Sequence, residues 1–247
     1  MEIEEFALGD SWVHGLDPRV KIVVTIIFSI IVALNSSIHV AGISLILPLI
    51  LVICARLDFR KLMVRLAIVN SFILFLWLFL PFSTPGETIC SIGPLNIQRE
   101  GLLLAALITL KSNSIILMAI ALLGTSQIFS LVHALSHLFV PDKLVHLFFF
   151  CFRYIHVVHG EYHRLINAMK MRGFRPKTNM HTYRAYSYLV GMLLIRSFDR
   201  SKRILDAMRC RGFKGKFYIL HNYEMKRCDY ALAGSSLAFS ILLMVVR

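Results

Sequence analysis

Gly101-Leu-Leu-Leu-Ala-Ala-Leu-Ile-Thr-Leu-Lys-Ser-Asn-Ser-Ile-Ile-Leu-Met-Ala-Ile-Ala-Leu-Leu-Gly124 holds one charge, Lys111, in 24 residues. As a helix this stretch extends about 36 Å, enough to cross the roughly 30 Å hydrocarbon layer of a bilayer. Four more apolar runs lie around it, at residues 20–34, 38–55, 66–82 and 230–246. The whole chain is 57% apolar or aromatic and only 17% charged, against about 25% charged in an average soluble domain. A purely soluble enzyme does not need this much apolar content, and a disordered or collagen-like chain is excluded. The reading is all-α: a polytopic membrane protein with about five transmembrane helices plus long helices outside the bilayer.

The charge is concentrated. Residues 153–229 carry 17 Lys and Arg against five Asp and Glu, which is +12 of the net +13. Arg56, Arg60, Lys61 and Arg65 separate the second and third runs, whereas the neighbouring loops hold no Lys or Arg, or only Arg99. By the positive-inside rule the 56–65 loop is cytoplasmic. The N-terminus and the basic insert then face the cytoplasm, and the C-terminus lies outside. The expected organisation is N-terminal transmembrane helices at 1–124, a cytoplasmic region at 125–229 and a last transmembrane helix at 230–247. Residues 1–10 are acidic and do not read as a signal peptide. Lys21, near the start of the first run, is expected to snorkel to the headgroups.

Residues 128–152 are too broken to span. Pro141-Asp142-Lys143 divides them into two stretches of about a dozen residues, read as amphipathic helices against the inner face. Pro81, Pro85, Gly86, Gly93 and Pro94 mark the loop after the third run as irregular. The cysteines at 54, 90, 151, 210 and 228 have no CxxC spacing, so no zinc site or disulfide framework is indicated.

The most informative feature is a repeat inside the basic insert. Arg164-Leu-Ile-Asn-Ala168-Met169-Lys-Met-Arg172-Gly173-Phe174 returns as Arg203-Ile-Leu-Asp-Ala207-Met208-Arg-Cys-Arg211-Gly212-Phe213. Each copy reads as the end of a helix, with Gly173 and Gly212 in the left-handed position after the cap. Met169 and Met208 then pair with Phe174 and Phe213 across the cap. A helix stop used twice accounts for Gly, Met and Phe but not for Ala and Arg. Ala168 with Arg172, and Ala207 with Arg211, lie four apart on one helix face. A small residue admits close approach of another backbone, and the guanidinium offers a planar fork of donors to a carboxylate. Such a helix end suits insertion into a groove on another protein, and two copies suit a partner with two similar subunits. The remaining basic groups, Arg196, Arg200, Lys202 and Arg203 before the second copy and Arg175, Lys177, Lys214 and Lys216 after the caps, read as a solvated or lipid-facing rim. No nucleic-acid recognition motif accompanies the charge.

The paired Ala-x-x-x-Arg-Gly sequences at 168–173 and 207–212 resemble the signature of the transmembrane T component of energy-coupling factor (ECF) transporters. The stretch 191–215 is similar to the CbiQ branch, which serves cobalt and nickel uptake, and Leu16-Asp17-Pro18-Arg19-Val20-Lys21 to that family's entry sequence. Family members often have an acidic residue where Asn167 and Lys202 stand. The resemblance implies a multi-pass protein of the cytoplasmic (inner) membrane and a set of partners. These are two ABC-type, CbiO-like ATPases and a CbiM-like substrate-binding membrane subunit, with or without a CbiN-like protein. Ala168, Met169, Arg172, Gly173, Ala207, Met208, Arg211 and Gly212 would bind the ATPases, Arg172 and Arg211 facing acidic groups. This chain would couple without catalysing: ATP is bound and hydrolysed by the partners, and no cofactor or metal is expected here.

The residue chemistry is read separately. No GxxxxGK[ST] loop cradles a nucleotide, and no HExxH or GxSxG motif is present. Lys111 reads as buried in the bundle near Asn113. His133 with His137, and His159 with His163, have chelating i, i+4 spacing, which keeps open a membrane enzyme that uses histidine-bound metal. A lipid-binding scaffold and a T component for a vitamin also stay open.

Overall fold

The computed structural model describes residues 9, 11–84, 88–92, 95–138, 140–213 and 227–245. They form two compact units: one from the described residues up to 138 and from 227 on, the other from residues 140–213.

The first unit is a helical bundle. Helix α1 (Pro18–Leu34) starts where the sequence dictates. Asp17 caps it by accepting from the Arg19 amide, and Pro18 occupies the first turn, where its missing N–H costs nothing. The run at 38–55 is divided into α2 (Ile38–Ser44) and α3 (Ile46–Cys54). Pro48 has no amide to offer the Ser44 carbonyl, so the helix is interrupted there. Helix α4 (Phe59–Ser83) and α5 (Arg99–Leu122) follow, then the short α6 (Ile128–Ser136) and finally α9 (Arg227–Val245). The core gathers Phe28 and Val32 of α1, Met118 and Leu122 of α5 and Leu232 and Leu243 of α9. Among the described residues, α4 and α5 are long and apolar enough to cross a membrane; residues 38–54 and 228–244 make shorter apolar helices. Ile68, Phe72, Leu74 and Leu78 of α4 are exposed. Contiguous apolar surface of this kind is rare on soluble monomers and natural against lipid.

The bundle departs from the sequence reading in four places besides Pro81, which lies inside α4 and not in the loop after it. Residues 88–98 are not irregular throughout: β1 (Thr88–Ile92) pairs antiparallel with β2 (Leu95–Gln98), so the helical fold carries one small hairpin. Lys21 does not snorkel. It is fully buried, donating from Nζ to Ser126 Oγ at 2.8 Å and Thr125 Oγ1 at 3.3 Å. Asp229 of α9 is its carboxylate neighbour and also accepts from the Asp17 amide at 2.8 Å. One buried polar cluster thus joins the start of α1, the turn after α5 and the start of α9. Lys111 is only half-buried and donates to the Ala33 carbonyl at 2.8 Å, where the last turn of α1 leaves carbonyls without intrahelical partners. Asn113 instead bonds Asn70 of α4 at 3.1 Å. The fourth difference is that residues 142–152 are not a separate short helix. They are the first third of one long helix that continues to Met171.

The second unit is built from α7 (Asp142–Met171) and α8 (Met180–Cys210), 30 and 31 residues long. The break at Pro141 precedes α7 as expected. Glu161 meets Arg196, and Phe174 meets Tyr186, so the pair runs as an antiparallel helical hairpin. Asn179 opens α8 by accepting from the Thr182 amide at 2.9 Å.

Candidate docking site

Both copies of the repeat end their helices by the same mechanism. At the end of α7 the Phe174 amide donates to the Met169 carbonyl at 3.1 Å and the Gly173 amide to Lys170 at 3.0 Å. At the end of α8 the Phe213 amide donates to Met208 and the Gly212 amide to Arg209, both at 3.0 Å. This is the six-to-one and five-to-two pattern of a Schellman cap. It requires a left-handed residue, and Gly173 and Gly212 sit at φ +80° and +81°. Lys170 and Arg209 occupy equivalent places in the last turns, where a cation complements the negative end of the helix dipole.

The caps decide what each end displays. Ala168 and Arg172 are exposed, as are Ala207 and Arg211, whereas Met169, Phe174, Met208 and Phe213 are partly buried. The turn after each helix therefore tucks the Met and Phe inward and leaves a small residue and a guanidinium on the outside. Among the described residues neither guanidinium, of Arg172 or of Arg211, has a hydrogen-bond or ion-pair partner. Other arginines of the hairpin are engaged: Arg164 reaches Glu161 at 3.4 Å, Arg196 binds the other oxygen of Glu161, and Arg209 stands 4.0 Å from Asp206. The caps fall at opposite ends of α8, whose 31 residues extend about 46 Å at about 1.5 Å per residue. Two such tips serve two separate recesses better than one.

Between the helices runs an apolar groove of about 370 Å³, lined by Phe150, Tyr154 and Val157 on one side and Ile204, Met208 and Phe213 on the other. Glu161 and Arg196 also line it. The Arg196 guanidinium bonded to Glu161 holds its carboxyl below the usual carboxylate range. Arg196 is thus a tie between helices, not part of a solvated rim as the sequence reading has it. That tie joins residues 35 apart, and only the antiparallel register makes it visible. Lys202 lies 4.6 Å from the centre of the Phe198 ring on its own helix.

In both i, i+4 histidine pairs the rings meet edge-on, with centres 5.0 Å apart for His133 and His137 and 4.4 Å apart for His159 and His163. Among the described residues no group of three or more His, Cys, Asp or Glu side chains is placed to hold a metal ion.

The CbiQ family, described as "Cobalt transport protein", matches residues 9–219. The chain is 27% identical to the energy-coupling factor transporter transmembrane protein EcfT of Leuconostoc gelidum subsp. gasicomitatum, over 99% of this chain and 96% of that one. It is 30% identical to the EcfT of Heliobacterium modesticaldum, over 83% and 81% of the two chains. With the EcfT of Bacillus subtilis it shares 26% identity over 87% and 85%.

Proposed function

The chain belongs to the CbiQ family of energy-coupling factor transporter T components, and from that premise we propose that it transmits the movement of two cytoplasmic ABC-type ATPases to a substrate-binding membrane subunit. Each helix end of the hairpin enters a groove of one ATPase. Ala168 and Ala207 let the groove wall come close, and Arg172 and Arg211 pair with acidic groups inside. The carrying observation is the duplicated Schellman cap, which leaves at each end of α8 an outward guanidinium with no partner among the described residues. The chain itself hydrolyses nothing and holds no cofactor.

In the bilayer the proposed spans are α1, α2 with α3, α4, α5 and α9, in the cytoplasmic membrane with the N-terminus inside. The proposed cargo is cobalt or nickel ion, a reading supported by the family's description. The names of the EcfT relatives specify no cargo, which leaves a second reading, in which the substrate subunit carries a vitamin.

The test is co-purification and uptake in cells that express the neighbouring transporter subunits. The double variant Arg172→Glu, Arg211→Glu is expected to insert normally, to lose the ATPases and to stop coupled uptake. Removing one partner of a buried charge pair costs about 2–5 kcal/mol, so capture should weaken about 30-fold or more at each site. Unchanged capture and uptake would refute the proposal.

A further inference from the structure

We propose that His159 and His163 form a binding site for a divalent late-transition-metal ion on the exposed face of α7. Their Nε2 atoms face each other at 3.2 Å, with both side chains exposed. In the free protein that distance is an N–H···N hydrogen bond. It is also the span between two neighbouring ligands of one ion: with metal–nitrogen bonds of about 2.0–2.1 Å, tetrahedral to octahedral angles place cis ligands about 2.9–3.4 Å apart. To hold an ion between adjacent turns, the donor ring moves its Nε2 proton to Nδ1 by exchange with water, and both rings turn so that their Nε2 lone pairs converge on the ion.

The surroundings define the class of ion. Glu161, between the histidines in sequence, is occupied by Arg196 and Arg164, so no carboxylate joins the set. Two imidazoles without carboxylates favour nickel, copper or zinc over magnesium or calcium. Arg164 adjoins His163, but its charge is met by Glu161. The remaining coordination positions are left for water or for a side chain of a neighbouring subunit. The site lies five residues before Ala168, so a bound ion would clamp the turn that leads into the first cap. The pair at His133 and His137 shares the spacing and the edge-on meeting, but its ring centres stand 5.0 Å apart against 4.4 Å, and it serves as the internal control.

The experiment titrates Ni²⁺ alone into the full-length chain, purified in detergent without a histidine tag and followed by calorimetry. One equivalent is expected to bind and to resist excess Mg²⁺. Losing an outer partner of a metal ligand already costs about 10–100-fold in affinity, so His159→Gln or His163→Gln should each weaken binding at least about tenfold. His137→Gln should leave it unchanged, and Cu²⁺ bound in place of Ni²⁺ should show coupling to two nitrogens by electron paramagnetic resonance. Equal Ni²⁺ affinity in the wild type and the His159→Gln, His163→Gln double variant would overturn the proposal, as would loss of binding in His137→Gln.

Discussion

Lys21 and Arg172 are both cations at the end of a helix, and the protein treats them in opposite ways. Lys21 is enclosed in the bundle, with two hydroxyls and a carboxylate around its ammonium. Arg172, at the end of α7, is exposed and unpaired among the described residues. A buried charge must be matched inside the chain because water cannot solvate it. An exposed guanidinium keeps its hydration until a partner replaces it, which makes it available for recognition. Charge inside the bundle sets which helices meet; charge on the hairpin ends is left for a neighbour. Arg211 repeats the second case at the far end of α8.

The sharpest way to break this contrast is Lys21→Met. It leaves Asp229 buried without its cation, and removing one member of a buried pair costs about 3–5 kcal/mol. The expected result is faster hydrogen exchange through the ends of α1 and α9 and poorer recovery of inserted protein, with exchange in α7 and α8 unchanged. Equal protection in wild type and variant would mean that the cluster does not hold these helices together. A smaller effect is expected from Gly173→Ala and Gly212→Ala. A residue with a Cβ in the left-handed region costs about 1–2 kcal/mol. Because both glycines have nearly the same φ, the two variants should loosen their last helical turns by nearly the same amount in local hydrogen exchange. Unequal losses would show that the caps depend on their surroundings and not on the local sequence.

That distinction also explains what the sequence can disclose. The caps are legible because every group that makes them lies within six residues, and Asp17 with Pro18 fixes the start of α1 for the same reason. The exposure of Ala168 and Arg172 follows from the cap and the helical period together. Lys21 is misread from sequence because its partners are 104, 105 and 208 residues away, and an isolated lysine near a span end has snorkelling as its default. The Glu161–Arg196 tie stays hidden until the register of the hairpin is known. The small β-hairpin is concealed by Gly93-Pro94, which signal a turn without saying that the flanking residues pair. The five separate runs are visible, but the interruption of 38–55 depends on which carbonyl Pro48 would have faced.

The smallest effect belongs to an ion pair that lies between these two cases, Glu161 with Arg196. Glu161 is 12% exposed and Arg196 half exposed, so solvent screens the tie more than it screens the bundle cluster. Glu161→Gln should leave the first cap intact, since α7 and the following turn close it through their own backbone. It should loosen the second, whose Met208 and Phe213 line the groove that the tie crosses. The pH dependence separates an ionic role from a packing role. The Arg196 hydrogen bond lowers the pKa of Glu161, so its stabilisation is complete above the ordinary glutamate value of about 4.3 and disappears as pH falls through the lowered one. Wild type and Glu161→Gln should therefore differ in hydrogen exchange around Phe213 at neutral pH and converge in acid. A difference that persists in acid would mean that shape, not charge, joins the helices at this point.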